Sequence, residues 1–485
     1  MKYAKVLLLL AVLLMLTSCG GEVTSTENDI TMEVPETEEI SETTEVSETT
    51  TTDPFDELEN IDFGGRDFNF IGRLQYEDEL CIDEMNGDVL NDAVFTRNQR
   101  VMEKFNVNFT WEIGTNEYSD LGKNSILAGE DIYDVIMIHS RMAFNFMQQE
   151  LLHDWNEGMP YNDLSAPWWS QDMRENIAIG NKIYFMSGDI SYYFLADTQI
   201  MLFNKQIFTD LGMGFPYQTV RDGKWTFDAM TKLAAQGTWD VNGDGIIEAK
   251  NDHIGYITTR WRGPNFCYIA QGTRLVTLDD NMMPELSLNK ERAADIYMRY
   301  MEFLNSDSAI MNGEVESTEM MQQWMSGRIM FFDGLLKYAS NMRDMQDDFG
   351  IIPLPKYDEA QESYYSTPGA GINFFSVPVT VRDTECVSAV LEGLAILGHQ
   401  DIIPTYYETV LKSKFTRDEE SAEMLDLIRE NIIVDFGAQI YSHNANKLNS
   451  IGYFLADGNE NFASFYAANE GVFIKNLEEV IELIS

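Results

Sequence analysis

The sequence predicts an α/β protein of two lobes, each discontinuous along the chain. Three observations point there. Its 485 residues, 44% of them hydrophobic, suffice for two or three domains at roughly 150 residues each. From about residue 61 short β-rich runs alternate with helical stretches, the mark of crossover connections and a mainly parallel sheet covered by helices. Glycine- and proline-bearing breaks at Asp222 to Lys224, Gly313 and Thr367 to Gly371 punctuate this body without dividing it.

Residues 1 to 18 carry Lys2 and Lys5, then an unbroken apolar run from Val6 to Leu16. That run is too short for a permanent membrane helix and lies where a secretory signal belongs. From Gly20 to Asn60 the chain is rich in Thr, Ser and Glu, with 14 acids and no base. Such a stretch cannot bury enough apolar surface to offset chain entropy. Residues 19 to 60 therefore read as a disordered acidic tether, reaching ~35 Å as a flexible coil. No later segment reads as long and apolar enough to span a bilayer.

In the body, strands are expected at Asp67 to Gly72, Asn106 to Ile113, Asp134 to His139, Gln199 to Asn204, Arg328 to Phe332 and Asn373 to Val379. Helical periodicity marks Leu90 to Phe105, Glu291 to Leu304 and Thr384 to Leu397; in the last, Val387, Val390, Leu391 and Leu394 share one face. A further helix is expected to start near Thr416, with Glu419 completing a capping box.

The charge balance, 80 acidic against 33 basic side chains for a net −47, excludes nucleic acid as a partner, because phosphate binding needs a basic stripe. No phosphate-binding Gly-x-x-x-x-Gly-Lys loop, Gly-x-Ser-x-Gly elbow or His-Glu-x-x-His motif is present. Paired carboxylates for glycoside hydrolysis have no discriminating value among so many acids. Cys81, Cys267 and Cys386 lie at long spacings that give neither a disulfide framework nor a zinc pattern, and read as core filler, although one pair could be bridged.

Two features point to ligands. Asp240, Asn242, Asp244, Gly245, Ile246 and Glu248 match an EF-hand-type loop at positions 1, 3, 5, 6, 7 and 9, where alternate oxygens wrap a hard cation. The twelfth position is Asn251 and Asp252 follows one residue late, so the expectation is a structural Ca2+ ion in a weaker or slightly enlarged loop. Aromatic residues make up 12% of the chain and several are adjacent, as at Trp168 and Trp169 or Tyr192 and Tyr193. Sugars lay their C–H faces on such rings while their hydroxyls pair with polar side chains.

Taken in order, Leu90 to Val107 (LNDAVFTRNQRVMEKFNV), Tyr133 to Ile138 (YDVIMI), Gly180 to Tyr184, Phe203 to Lys205 (FNK), Gly223 to Asp228 (GKWTFD), Gly327 to Gly334 (GRIMFFDG), Pro353 to Asp358 (PLPKYD), Gly369 to Asn373 (GAGIN) and Lys414 to Asp426 (KFTRDEESAEMLD) resemble a known family. It is extracellular solute-binding protein family 1, the carbohydrate receptors of bacterial ABC importers related to maltose-binding protein. The resemblance covers residues 61 to 485. Leu16, Thr17, Ser18 and Cys19, followed by Gly20, are similar to a bacterial lipobox. That implies a diacylated Cys19 holding the protein at the outer face of the cytoplasmic membrane, as in Gram-positive bacteria.

The resemblance implies a type II periplasmic-binding fold with a hinge: a first lobe of residues 61–196 plus about 372–415 and a second of 197–371 plus about 416–485. A sugar or oligosaccharide would be captured between them and delivered to an ABC permease, without chemistry on the ligand. Asp197, seven residues before Asn204, matches a hinge carboxylate that accepts sugar hydroxyls. His139, Ser140 and Arg141 follow a strand that presents ligand-binding residues, and Arg141 could grip a hydroxyl pair or a uronic carboxylate. Asp333 precedes the place of a ligand-stacking tryptophan, here occupied by Leu335 and Leu336. Trp261, Arg262, Phe332 and Trp168 or Trp169 are the substitutes. The competing readings are a cell-surface glycoside hydrolase and a calcium-stapled adhesive lipoprotein.

Overall fold

The computed structural model describes residues 52–115, 117–313, 318–342, 344–369, 371–411, 419–440, 451, 452, 454, 457, 458 and 461–484. The signal peptide, Cys19, the tether up to residue 51 and the helix start near Thr416 lie outside the described residues. Among these residues are eleven strands: β1 (Arg66–Arg73), β2 (Val107–Gly114), β3 (Val135–His139), β4 (Gln199–Asn204), β5 (Ile254–Thr258), β6 (Val276–Leu278), β7 (Pro284–Leu286), β8 (Ala309–Met311), β9 (Ile329–Leu335), β10 (Phe349–Ile352) and β11 (Asn373–Ser376).

They form two lobe sheets, ordered β11-β3-β1-β2 and β10-β4-β9-β5-β8, and a β6-β7 hairpin. The expectation of mainly parallel sheets needs correction. β1 runs parallel to β2 and β3, and β5 to β8 and β9, but β11 is antiparallel to β3, and β4 is antiparallel to both β9 and β10. The reversed strands are those by which the chain enters the second sheet (β4) and returns to the first (β11). Every residue of β4 and β9 is buried, as expected for strands covered on both faces.

The helix Val89–Phe105 shows how local sequence sets an element. Asp88 caps it, accepting from the amides of Leu90 and Asn91 at 3.0 and 3.1 Å, and Asn106 ends it in the left-handed conformation at φ 47°. Its buried face joins Val94, Val101 and Phe105 with Arg97, whose guanidinium donates to the carbonyls of Ile190 at 3.0 Å and Glu79 at 2.7 Å. The helix Thr384–Leu397 has the expected bounds and is buried from Cys386 to its end.

Two further expectations are corrected. The helical stretch Thr384–Thr409, 26 residues long, is long and apolar enough to cross a membrane, an 18-residue window of it having mean hydropathy 1.3. Since 83% of that window is buried within the body, it is a core helix. The tether also ends earlier than residue 60. Asp53 caps a helical turn, Pro54–Glu57, and Phe55 is buried beneath the cations of Arg100 and Lys104 at 5.1 and 5.0 Å. Cys81, Cys267 and Cys386 are free, the last two buried, and burial pushes the Cys386 thiol up to about 12.

Candidate functional site

The two lobes meet where the chain crosses between the sheets. Residues 197–199 run antiparallel to 367–369 through a Thr198–Pro368 bridge, with Gly369 N donating to Asp197 O at 2.7 Å and Gln199 N to Thr367 O at 3.0 Å. In sheets of this kind ligands bind outside the carboxyl ends of the strands. Here those ends, β1 and β3 from one lobe and β5 and β9 from the other, bring side chains together at the crossing.

Asp197 is its centre. The residue is 2% exposed, and its carboxylate accepts from the Tyr76 hydroxyl at 2.7 Å and pairs with Lys337 Nζ at 2.7 Å. Tyr76 follows β1 in the first lobe and Lys337 follows β9 in the second, so one carboxylate ties both lobes to the crossing. Burial first, then the Asp197 charge, pushes the Tyr76 phenol well above the ordinary tyrosine range. It therefore stays a donor. Tyr193 meets the Tyr76 ring edge-on at 4.6 Å, and Arg73 lies over that ring at 5.0 Å while donating to Gly371 O at 2.8 Å. Gly371 permits the approach: a Cβ there would lie 2.8 Å from the Tyr76 hydroxyl.

The residues stepping off β3 reach the second lobe. His139 pairs with Asn373 across the β3–β11 ladder and caps the helix Ser140–Gln148, its Nδ1 accepting from Arg141 N at 3.1 Å. Ser140 is fully buried, and its amide donates to Ile372 O at 3.1 Å. The Arg141 guanidinium stacks on the ring of Trp261 at 4.8 Å. Next along the chain, Arg262 packs its Nη1 3.5 Å from where a Gly369 Cβ would stand. Asp197, His139, Ser140, Arg141, Trp261 and Arg262 are thus joined through the crossing segments.

The other sequence-proposed residues lie elsewhere. Phe332 is fully buried and stacks on Trp324 at 5.6 Å. Asp333 is 2% exposed, accepts from the Tyr256 hydroxyl at 2.9 Å, and lines a cavity of about 20 Å³, room for about one water. Trp169 is 2% exposed against Trp155, and Trp168 and Trp169 both donate to the buried carboxylate of Glu392, at 2.9 and 3.0 Å. Trp168 borders a 380 Å³ cavity with His399 and Arg429, whose lining includes Leu195 but not Asp197, Tyr76, Lys337, Arg141 or Trp261.

Sequence reasoning missed Arg73, Tyr76 and Lys337. Their only signal is position, at or just past the ends of β1 and β9. It also missed Glu79, fully buried, with Asn373 Nδ2 donating to it at 2.6 Å and Ser191 Oγ as a second donor. Burial raises this carboxyl to about 7 against those two donors.

In the loop Asp240 to Asp252 the acids hold backbone amides. Asp240 accepts from Gly243 N at 2.6 Å and Gly245 N at 2.8 Å, Asp244 from Ile246 N at 2.8 Å, and Asn242 from Asp244 N at 2.8 Å. Asp252, fully buried, accepts from Val241 N and Glu248 N, both at 2.9 Å. Ile246, Glu248 and Asn251 complete this chain of turns. Among the described residues no group of three or more His, Cys, Asp or Glu side chains is drawn together as a metal site.

The fold is that of the two-lobe substrate-binding proteins of ABC transporters. The chain is similar to the GacH receptor of Streptomyces glaucescens, solved unliganded and with acarbose, at TM-score 0.55 and 14% identity over 85% of this chain and 99% of that one. It is also similar to a Listeria monocytogenes ABC substrate-binding protein in complex with cycloalternan, at TM-score 0.53 and 11% identity over 87% and 99%. A maltose-binding MalE from the same organism matches at TM-score 0.54 and 11% identity over 85% and 98%. No protein-family profile and no curated protein sequence matches the chain.

Proposed function

We propose that the protein is an extracellular receptor that captures a sugar or oligosaccharide between its lobes and hands it to an ABC import permease. The observation that carries this reading is the convergence of side chains from both lobes on the crossing. Trp261 offers an aromatic plane, and Arg141, Arg262, Asp197 and Lys337 offer hydroxyl-pairing groups. The structural relatives, one with acarbose, one with cycloalternan and one with maltose, favour a saccharide over other solutes. Cys19, diacylated, would anchor the chain, and the acidic stretch from Gly20 to Thr51 would hold the body off the membrane.

Specificity would rest on satisfied hydroxyl groups, since one left unpaired by the wrong sugar costs about 1 to 3 kcal/mol. Thermal unfolding of the protein against a saccharide panel tests the reading. Ligand at 100 times its Kd stabilises the folded state by about 2.7 kcal/mol, a resolvable shift, whereas no shift across the panel rejects a saccharide. The Asp240 to Asp252 loop carries a separate proposal, a structural calcium ion, which its carboxylates would bind through the lone pairs that their amide hydrogen bonds leave over. Melting with and without Ca2+ decides it: an unchanged midpoint assigns the loop to its hydrogen-bonded turns.

A further inference from the structure

Three cavities of the body differ in the polar groups they leave unbonded. The cavity beside Asp333, about 20 Å³, is bordered by Gln199, a buried amide with no hydrogen-bond partner among the described residues, and has room for about one water. In the 380 Å³ cavity beside Trp168 the polar groups hold one another. Asp189 pairs with Arg429 and lies 2.6 Å from His399 Nδ1, Trp168 donates to Glu392, and no buried side-chain polar atom of the lining lacks a partner.

The third cavity, about 290 Å³, is of another kind. It lies in the second lobe and is bordered by Thr273, Arg274, Thr277, Ser287, Asn289 and Tyr365. Short segments build it. Thr273 and Arg274 lead into β6, Thr277 is the middle residue of that strand, and Ser287 follows β7. Asn289 caps the helix Lys290–Leu304, its Oδ1 accepting from Arg292 N at 2.9 Å. Tyr365 stands two residues before Thr367 of the crossing.

Thr273 is 4% exposed, and its Oγ1 has no hydrogen-bond partner among the described residues. A hydroxyl buried in this way is costly unless something bonds it. One water needs only ~10 to 15 Å³, so the cavity is many times larger than this one hydroxyl requires. The half-buried hydroxyls of Thr277 and Tyr365 and the Nδ2 of Asn289 are also without a partner among the described residues. Charge excludes an ion: Arg274 is paired with Asp172 and donates to Val434 O at 3.3 Å, and no carboxylate lines the cavity. What remains are hydroxyls and an amide, which both donate and accept, as the hydroxyls of a neutral ligand do. The volume falls at the lower end of the ~300 to 1,000 Å³ usual for ligand pockets, so that ligand is small.

We infer that this cavity is a second ligand site, taking a small neutral polyol of sugar-alcohol size. Its lining includes none of Asp197, Tyr76, Arg141, Trp261 or Lys337, so it is independent of the saccharide reading of the crossing.

Equilibrium dialysis of the full chain against radiolabelled glycerol, xylitol and myo-inositol is the test. Saturable binding of at least one of them is expected, weakened roughly tenfold in Thr273→Val and in Tyr365→Phe, as for the loss of one hydrogen bond. Trp261→Ala should leave it unchanged. Thr273→Val puts a methyl of the same shape in place of an unbonded hydroxyl, so its melting midpoint without ligand should not fall; Tyr365→Phe gives the answer if it does. Polyols also stabilise proteins through exclusion from the surface, an effect that does not saturate and ignores both substitutions. That pattern, no saturable binding of any of the three, or binding lost in Trp261→Ala overturns the inference. Saccharide binding at the crossing stands or falls by its own titration.

Discussion

Tyr76→Phe removes one oxygen from the junction that ties the lobes together. The hydroxyl donates at 2.7 Å to a carboxylate that is 2% exposed, and Phe leaves that oxygen buried without the donor. Hydrogen bonds to charged groups are worth about 1.5 to 3 kcal/mol, and a buried acceptor left unsatisfied carries a desolvation penalty of similar size. The Lys337 ion pair on the other carboxylate oxygen survives, so the loss should stay within that range. Tyr193→Phe is the internal control. Its hydroxyl bonds Asp78 at 2.9 Å on an exposed carboxylate, where water replaces the lost donor and about 0.5 to 1 kcal/mol is expected. Urea denaturation of the two variants and the parent, with the m-values compared, measures both losses. Equal losses from the two substitutions, or a loss below about 0.5 kcal/mol for Tyr76→Phe, would refute the claim that Asp197 is a buried anchor joined to both lobes.

Three further outcomes are expected. Glu79 titrates near 7 in the folded protein against an ordinary value of 4.5, so between those values the folded state holds more protons than the unfolded one. Its stabilising contribution is complete below about pH 4.5 and is lost as pH rises through 7, by up to about 3 kcal/mol; Glu79→Gln should flatten that part of the melting profile, and an unchanged slope counts against it. Phe55→Ala, at a site 5% exposed, should destabilise the body by about 3 to 5 kcal/mol in urea melts; a neutral result would return residues 52–60 to the tether. Trp169→Phe takes one of three side-chain donors from the buried Glu392, the others being Trp168 and Asn162. A loss of about 1 to 3 kcal/mol is expected, with saccharide affinity unchanged; weakened binding would put Trp169 back at the ligand.

Much of the scaffold was legible because local signals decide it. The apolar face of Thr384–Leu397 and the β-rich run Gln199–Asn204 give their bounds to the residue. The strands β5, β8 and β10, of three to five residues, carry too little periodicity to stand out. Direction was equally hidden, because whether β4 and β11 run with or against their neighbours depends on the crossings. At the site, Asp197 and Arg141 were expected from the family resemblance, which fixes them relative to neighbouring strands. Arg73, Tyr76 and Lys337 could not, since only the meeting of two distant segments gives them a role. Phe332, Asp333 and Trp169 were misplaced for the converse reason: the identity of an aromatic or acidic side chain does not reveal which way it faces, and these three are buried. Arg97 shows a detectable exception, a cation falling on the apolar face of its helix between Val94 and Val101.

Equilibrium dialysis of the full chain against the saccharide that most raises its melting point, with chromatography of the recovered ligand, tests the central claim most directly. The account predicts saturable binding of one saccharide per chain, recovered intact, and lost in Trp261→Ala while the fold persists. Binding that ignores Trp261→Ala, a ligand recovered in fragments, or no saturable binding would contradict it.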